Sequence, residues 1–130
     1  MNTTTEQPAT SDEIAMPGTE LFRYFSLKKC GLISVRSTGS TYLKTMLHDW
    51  RLLALKKDEH TLEQWQRRKT TEFKASLHVW QLGVCELPSM EELGEWVSDG
   101  VCESLTGDST EPDGYGPDGA PSWLLALRMI

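Results

Sequence analysis

The sequence predicts a mainly α domain, or an α+β one with a minor β-hairpin, closed by a turn-rich C-terminal segment. Three observations lead there. Apolar residues recur at helical spacing across residues 40–55 and 61–82, and a capping box opens a third helix at Ser89. Three Asp-Gly dipeptides, at 99–100, 113–114 and 118–119, then fall within twenty-one residues.

The elements follow in order. Residues 1–18 are polar, punctuated by Pro8, Pro17 and Gly18, and read as an N-terminal arm without an apolar pattern. Residues 19–130 read as one small domain. Leu21-Phe22-Arg23-Tyr24-Phe25 and Leu32-Ile33-Ser34-Val35 are short β-leaning runs suited to a hairpin, with a helical turn the alternative for the first. Leu43, Met46, Leu47, Trp50 and Ala54 then fit one stripe of a helix over about 40–55, with Ser40 and Thr41 as caps. Lys56-Lys57-Asp58-Glu59-His60 reads as an exposed break. A long second helix over 61–82 carries Leu62, Trp65, Phe73, Leu77 and Trp80, and Gly83 suits the left-handed position past its end. Ser89 and Glu92 form the box of a helix over 89–98, which Asp99-Gly100 stops. A turn-rich tail over 99–121 and a short helix over 122–130 finish the chain, with Trp123 and Leu124 packing the tail down.

Composition bounds the classes. With 130 residues, 38% hydrophobic and 25% charged, the chain is long enough for an ordinary core and unlike a wholly disordered one. No stretch approaches the ~20 apolar residues of a membrane span. The start, Met1-Asn2-Thr3-Thr4-Thr5, lacks the basic and apolar regions of a signal peptide. Three scattered cysteines make no disulfide framework, so a reducing cytoplasm is the expected location, with no membrane partner. Charge is uneven: residues 20–80 hold twelve Lys/Arg against six Asp/Glu, and residues 81–130 hold one Arg against ten acids. Either the halves pack together and cancel, or a basic face meets an acidic partner, nucleic acid included.

Candidate sites are few, and no complete catalytic constellation is visible. Trp65, Arg67, Arg68, Lys69 and Lys74 place an aromatic ring among cations, a pattern suited to a binding face. His48 and His78 lack a ligand at helical spacing, and His60 with Glu63 makes only half a metal pair. Cys30 beside Lys28 and Lys29 has a cationic setting but no histidine partner. Asp108, Asp113 and Asp118 recur without the alternating ligands of an EF-hand.

Two resemblances add to this reading. The run from Trp96 to Ile130 carries Asp99-Gly100-Val101-Cys102-Glu103, Glu111-Pro112-Asp113-Gly114 and Pro121-Ser122-Trp123-Leu124-Leu125. It resembles the C-terminus of a group of small uncharacterised bacterial proteins, a group without an established activity. There, further cysteines and a histidine imply a metal knuckle; here Asp108 and Gly116 stand at cysteine positions and Asp118 at the histidine, leaving Cys102 alone. The departure implies no metal, and no cofactor is expected. Residues 36–42, Arg36-Ser37-Thr38-Gly39-Ser40-Thr41-Tyr42, resemble the phosphosulfate-binding loop of sulfotransferases. That likeness implies anion contacts by Thr38, Gly39, Ser40 and Thr41, with Arg36 neutralising charge, in a strand–loop–helix setting. Arg36 sits one residue early, and the chain is much shorter than those enzymes; the alternative is a Ser/Thr-rich helix cap.

The function expected from these readings is a small non-enzymatic binding or regulatory protein acting through protein contacts. Nucleic-acid binding by the basic segment 51–74 is the alternative, and a phosphate- or sulfate-donor enzyme using 36–42 the second. Oligomeric state is left open.

Overall fold

A four-stranded antiparallel meander organises the chain. The computed structural model describes residues 16–130; the predicted arm lies outside the described residues except for its last three. The strands are β1 (Glu20–Ser26), β2 (Gly31–Arg36), β3 (Ser40–Thr45) and β4 (Arg51–Leu55), paired in sequence order. After them come α1 (Leu62–Arg68), a π-helical segment (Lys69–Phe73), α2 (Val79–Leu82) and α3 (Met90–Asp99). The tail holds a two-stranded ribbon, β5 (Cys102–Glu103) with β6 (Ser109–Thr110), and α4 (Trp123–Ala126).

The mainly α expectation is therefore overturned. The first predicted hairpin forms, with Tyr24 opposite Ile33 and Phe25 opposite Leu32. The helix over 40–55 does not form, because its residues make the next hairpin, β3 with β4. Ser40-Thr41-Tyr42-Leu43-Lys44-Thr45 is rich in β-branched and aromatic residues, which suit a pleated surface. Its apolar spacing matched a helix only by coincidence. Of the predicted stripe, Leu43 is buried while Leu47 is 84% exposed at the turn. That turn closes through the Thr45 amide donating to the His48 carbonyl at 3.0 Å.

The sheet is apolar on both sides. Alternation puts Phe22, Tyr24, Ile33, Val35 and Leu43 on one face, where Trp65 and Phe73 cover them. Phe25 and Leu32 face the other way, into a cluster with Leu93, Cys102, Leu105, Trp123 and Leu124. Trp123 meets Phe25 edge-on at 5.3 Å between ring centroids. The tail is thus held by side-chain burial. Ser122 caps α4 through the Leu125 amide and also donates to the Pro112 carbonyl.

The long helix over 61–82 is broken. Thr61 caps α1 in a capping box with Gln64. Thr70 and Thr71 then donate back to the Gln66 and Arg67 carbonyls, at 2.9 and 2.6 Å, where the helix widens into its π segment. In a regular helix Phe73 would point about 80° away from Trp65. The extra residue of a π turn sets the following side chains back by about 100°. Phe73 thereby lands on the sheet, 5.3 Å from the Tyr24 ring and 6.4 Å from Phe22. Burial there raises the Tyr24 phenol to about 12. Gly83 follows α2 at φ −83°, not in the left-handed region that its composition suggests. The Ser89–Glu92 box does form, and Gly100 ends α3 at φ +71°.

Candidate functional site

Beside this fold lies a cleft of about 550 Å³ between β4 and the α1–π segment. The sheet edge supplies Thr41, Ala54 and Leu55, the following break supplies Lys56, Lys57, Glu59 and His60, and the helix supplies Trp65, Arg68, Lys69, Glu72 and Phe73. Four cations face two carboxylates, so the cleft favours anionic groups.

Its side chains are held in place locally. The Lys56 ammonium donates to the His60 carbonyl at 3.0 Å, and Arg68 Nη1 lies 2.9 Å from His60 Nε2. A guanidinium only donates, so His60 Nε2 accepts and its proton sits on Nδ1. Lys69 Nζ lies over the Phe73 ring at 4.7 Å and over Trp65 at 6.0 Å. Burial, and secondarily the charge of Arg68, lowers the Lys69 pKa. A cation kept partly desolvated beside another cation is stabilised by an incoming anion.

β4 forms the adjoining edge of the sheet, and all five of its residues are exposed. The register slips between Thr41 and Tyr42, which oppose Ala54 and Leu52, so Leu53 is an extra residue in a bulge. Leu52, Leu53 and Leu55 are 50%, 37% and 66% exposed. At the other edge, β1 meets α2, where the Gln81 amide donates to the Phe25 carbonyl at 3.0 Å.

The expected site residues separate on this frame. Trp65, Arg68 and Lys69 line the cleft together. Arg67 points elsewhere and pairs with Glu63 at 4.0 Å, while Lys74 sits over the Phe22 ring at 5.6 Å. Lys56, Lys57 and Phe73 were not singled out from the sequence; the cation pair before the helix was the available signal.

The 36–42 loop has a different structure from the one its resemblance implied. Ser40 and Thr41 begin a strand, so no helix N-terminus faces the loop, and Gly39 at φ +93° closes a hairpin instead. Thr38 and Ser40 pair their hydroxyls at 3.0 Å. Arg36 is 5% exposed and its donors are engaged. Its Nε donates to the Pro17 carbonyl, Nη1 to Ser34 Oγ and Nη2 to the Gly18 carbonyl, each at 3.0 Å. Ser34 Oγ in turn donates to Glu20 at 2.6 Å. Arg36 is a strut joining residues 17–18 to the sheet.

In the tail, Cys102 is buried in the core. Asp108 and Asp118 converge around Gly116 with Ser104. The Asp118 carboxylate accepts from Thr106 Oγ1 at 2.7 Å and from the Ala120 amide at 3.0 Å. The Thr106 bond, then that of Ala120, lowers its pKa. Among the described residues no three His, Cys, Asp or Glu side chains come together to hold a metal. Nor is any helix there long and apolar enough to cross a membrane.

No protein-family model matches the chain, and no curated protein or solved structure matches it.

Proposed function

We propose that the protein is a non-enzymatic binding module that takes an extended, acidic segment of a partner protein along β4. The observation that carries this reading is the edge strand, exposed at every residue, running beside the cationic cleft. An edge strand offers main-chain donors and acceptors to a further strand, and alternate side chains then fall into neighbouring pockets. Leu52, Leu53 and Leu55 supply apolar contacts, and Lys56, Lys57, Arg68 and Lys69 meet carboxylates. Stacked nucleic-acid bases are disfavoured because Lys69 already lies over the Phe73 and Trp65 rings.

The test uses a ten-residue peptide of alternating Val and Glu, with amide hydrogen exchange of the full chain as the readout. Binding is expected to slow exchange in β4 and to weaken by about tenfold in the double variant Lys56→Glu, Lys57→Glu. Equal binding of a Val/Lys peptide, or protection confined to other strands, overturns the reading. Tighter binding of a thymidine oligonucleotide, with a steep salt dependence, replaces it with nucleic-acid binding.

A further inference from the structure

A second surface stands apart from the cleft. Below the β3–β4 turn lies a groove of about 490 Å³, walled by that turn, the β1–β2 turn, the start of α3 and the residues after α4. Its floor is built from Met46, Leu93 and Leu127. Its lips are Leu47, Met90 and Met129, exposed at 84%, 62% and 44%. Large apolar side chains gathered at one exposed place mark contact sites more often than chance surface. Methionine adapts its shape to different partners, which suits a recognition groove better than a core.

The rim carries charge of one sign. Lys29 and Arg51 are the charged side chains that line the groove, with His48 beside them, while the exposed Asp49, next to Lys44 at 3.9 Å, and Glu91 neighbour the lining residues in the chain without lining it. Glu92, close by in the first turn of α3, is held by the Ser89 amide at 3.0 Å. Apart from Arg51 at the start of β4, the walls are turns and a helix start, so a guest is read through side chains and not by main-chain pairing.

We infer that this groove binds an acidic amphipathic helix of a partner protein. Apolar residues at i, i+3 or i+4, and i+7 span about 10.5 Å along such a helix and present one face to the groove. Carboxylates flanking that face meet Lys29, His48 and Arg51. The inference stands apart from the strand-addition reading, because it uses neither main-chain pairing along β4 nor the cleft's cations; the two surfaces share only Arg51, the first residue of β4.

A displayed library of sixteen-residue helical peptides, panned on the full chain, tests it. Enriched sequences are expected to carry Leu, Met or Phe at that spacing with Asp or Glu alongside. The best peptide should bind about tenfold more weakly to Met90→Lys and to Lys29→Glu. Both positions are exposed, and a thermal melt equal to that of the parent confirms that the variants fold. Basic or non-periodic enriched sequences, no enrichment above a blank surface, or binding indifferent to Met90→Lys overturns the inference. Laurate binding more tightly than every peptide overturns it in favour of an acyl-chain site. Loss of this binding in Met90→Lys with the Val/Glu peptide still bound separates the two surfaces.

Discussion

Arg36→Ala separates a structural arginine from an anion-binding one. The guanidinium makes three hydrogen bonds at 3.0 Å, to Ser34 Oγ and to the Pro17 and Gly18 carbonyls, and lies 3.8 Å from Glu20. Hydrogen bonds to a charged group contribute about 1.5–3 kcal/mol each, but not all three are lost at that value. Pro17 and Gly18 are exposed, so their carbonyls rehydrate, and each of those bonds is worth nearer 1 kcal/mol. Ser34 is fully buried and has no water to replace the arginine, so its bond keeps the larger value. Glu20 retains Arg23 at 2.8 Å and loses little. The expected cost is about 3–5 kcal/mol, a large share of the ~5–15 kcal/mol that holds a domain together. Urea unfolding followed by tryptophan fluorescence reads it directly. At a slope near 2 kcal/mol/M the midpoint falls by about 2 M with the slope unchanged. A loss under about 1 kcal/mol would refute the strut, and a stable variant that had lost affinity for phosphate would return Arg36 to an anion site.

Three further outcomes follow from the same structure. Trp123→Ala removes a buried ring that meets Phe25 edge-on, and costs about 3–5 kcal/mol in a thermal or urea melt. Lys69→Met leaves stability equal or higher in the same melt, because the folded state disfavours the ammonium, yet weakens binding of the Val/Glu peptide. For Asp118 the folded pKa lies below the ordinary 3.8. Its contribution is therefore present above pH 3.8 and disappears as pH falls through the folded value. Protection of the Ala120 amide, the factor by which it exchanges more slowly than in an unstructured chain at the same pH, should fall over that acid range in the parent, and should be low at neutral pH in Asp118→Ala.

What was legible in the sequence is what depends on neighbours in the chain. The Ser89–Glu92 box and the stop at Gly100 are local chemistry, and both form as read. The β1–β2 hairpin was visible because both runs are rich in aromatic and β-branched residues and a short segment joins them. β3 and β4 were not. Leu43, Met46, Leu47, Trp50 and Ala54 satisfy a helical spacing, and only pairing to β2 shows that Leu43 and Leu47 face different surroundings. The cleft was half legible. Trp65, Arg68 and Lys69 stand in one basic run, whereas Lys56, Lys57 and Phe73 join them through the meander and the π turn. Arg36 was read by its neighbours in sequence, but its partners at Pro17 and Gly18 arrive through pairing of the strands.

Three locally unfavourable features meet at the cleft, and their coincidence is the strongest reason to look for a ligand there. An exposed strand edge with leucines invites association, and native sheets ordinarily blunt such edges. Lys69 is desolvated beside Arg68, and among the described residues no carboxylate forms an ion pair with it. A π turn replaces regular helix at Lys69–Phe73, the residues that form the cleft's wall. The π turn has a structural role, since it seats Phe73 on the sheet. The other two are offset only in part, the edge by the bulge at Leu53 and Lys69 by the rings of Phe73 and Trp65. On the proposed reading one event would relieve both, the arrival of an extended chain that pairs with β4 and carries carboxylates to the lysines. A guest that met only the cations would leave the leucines in water, and one that met only the strand would leave Lys69 as it is.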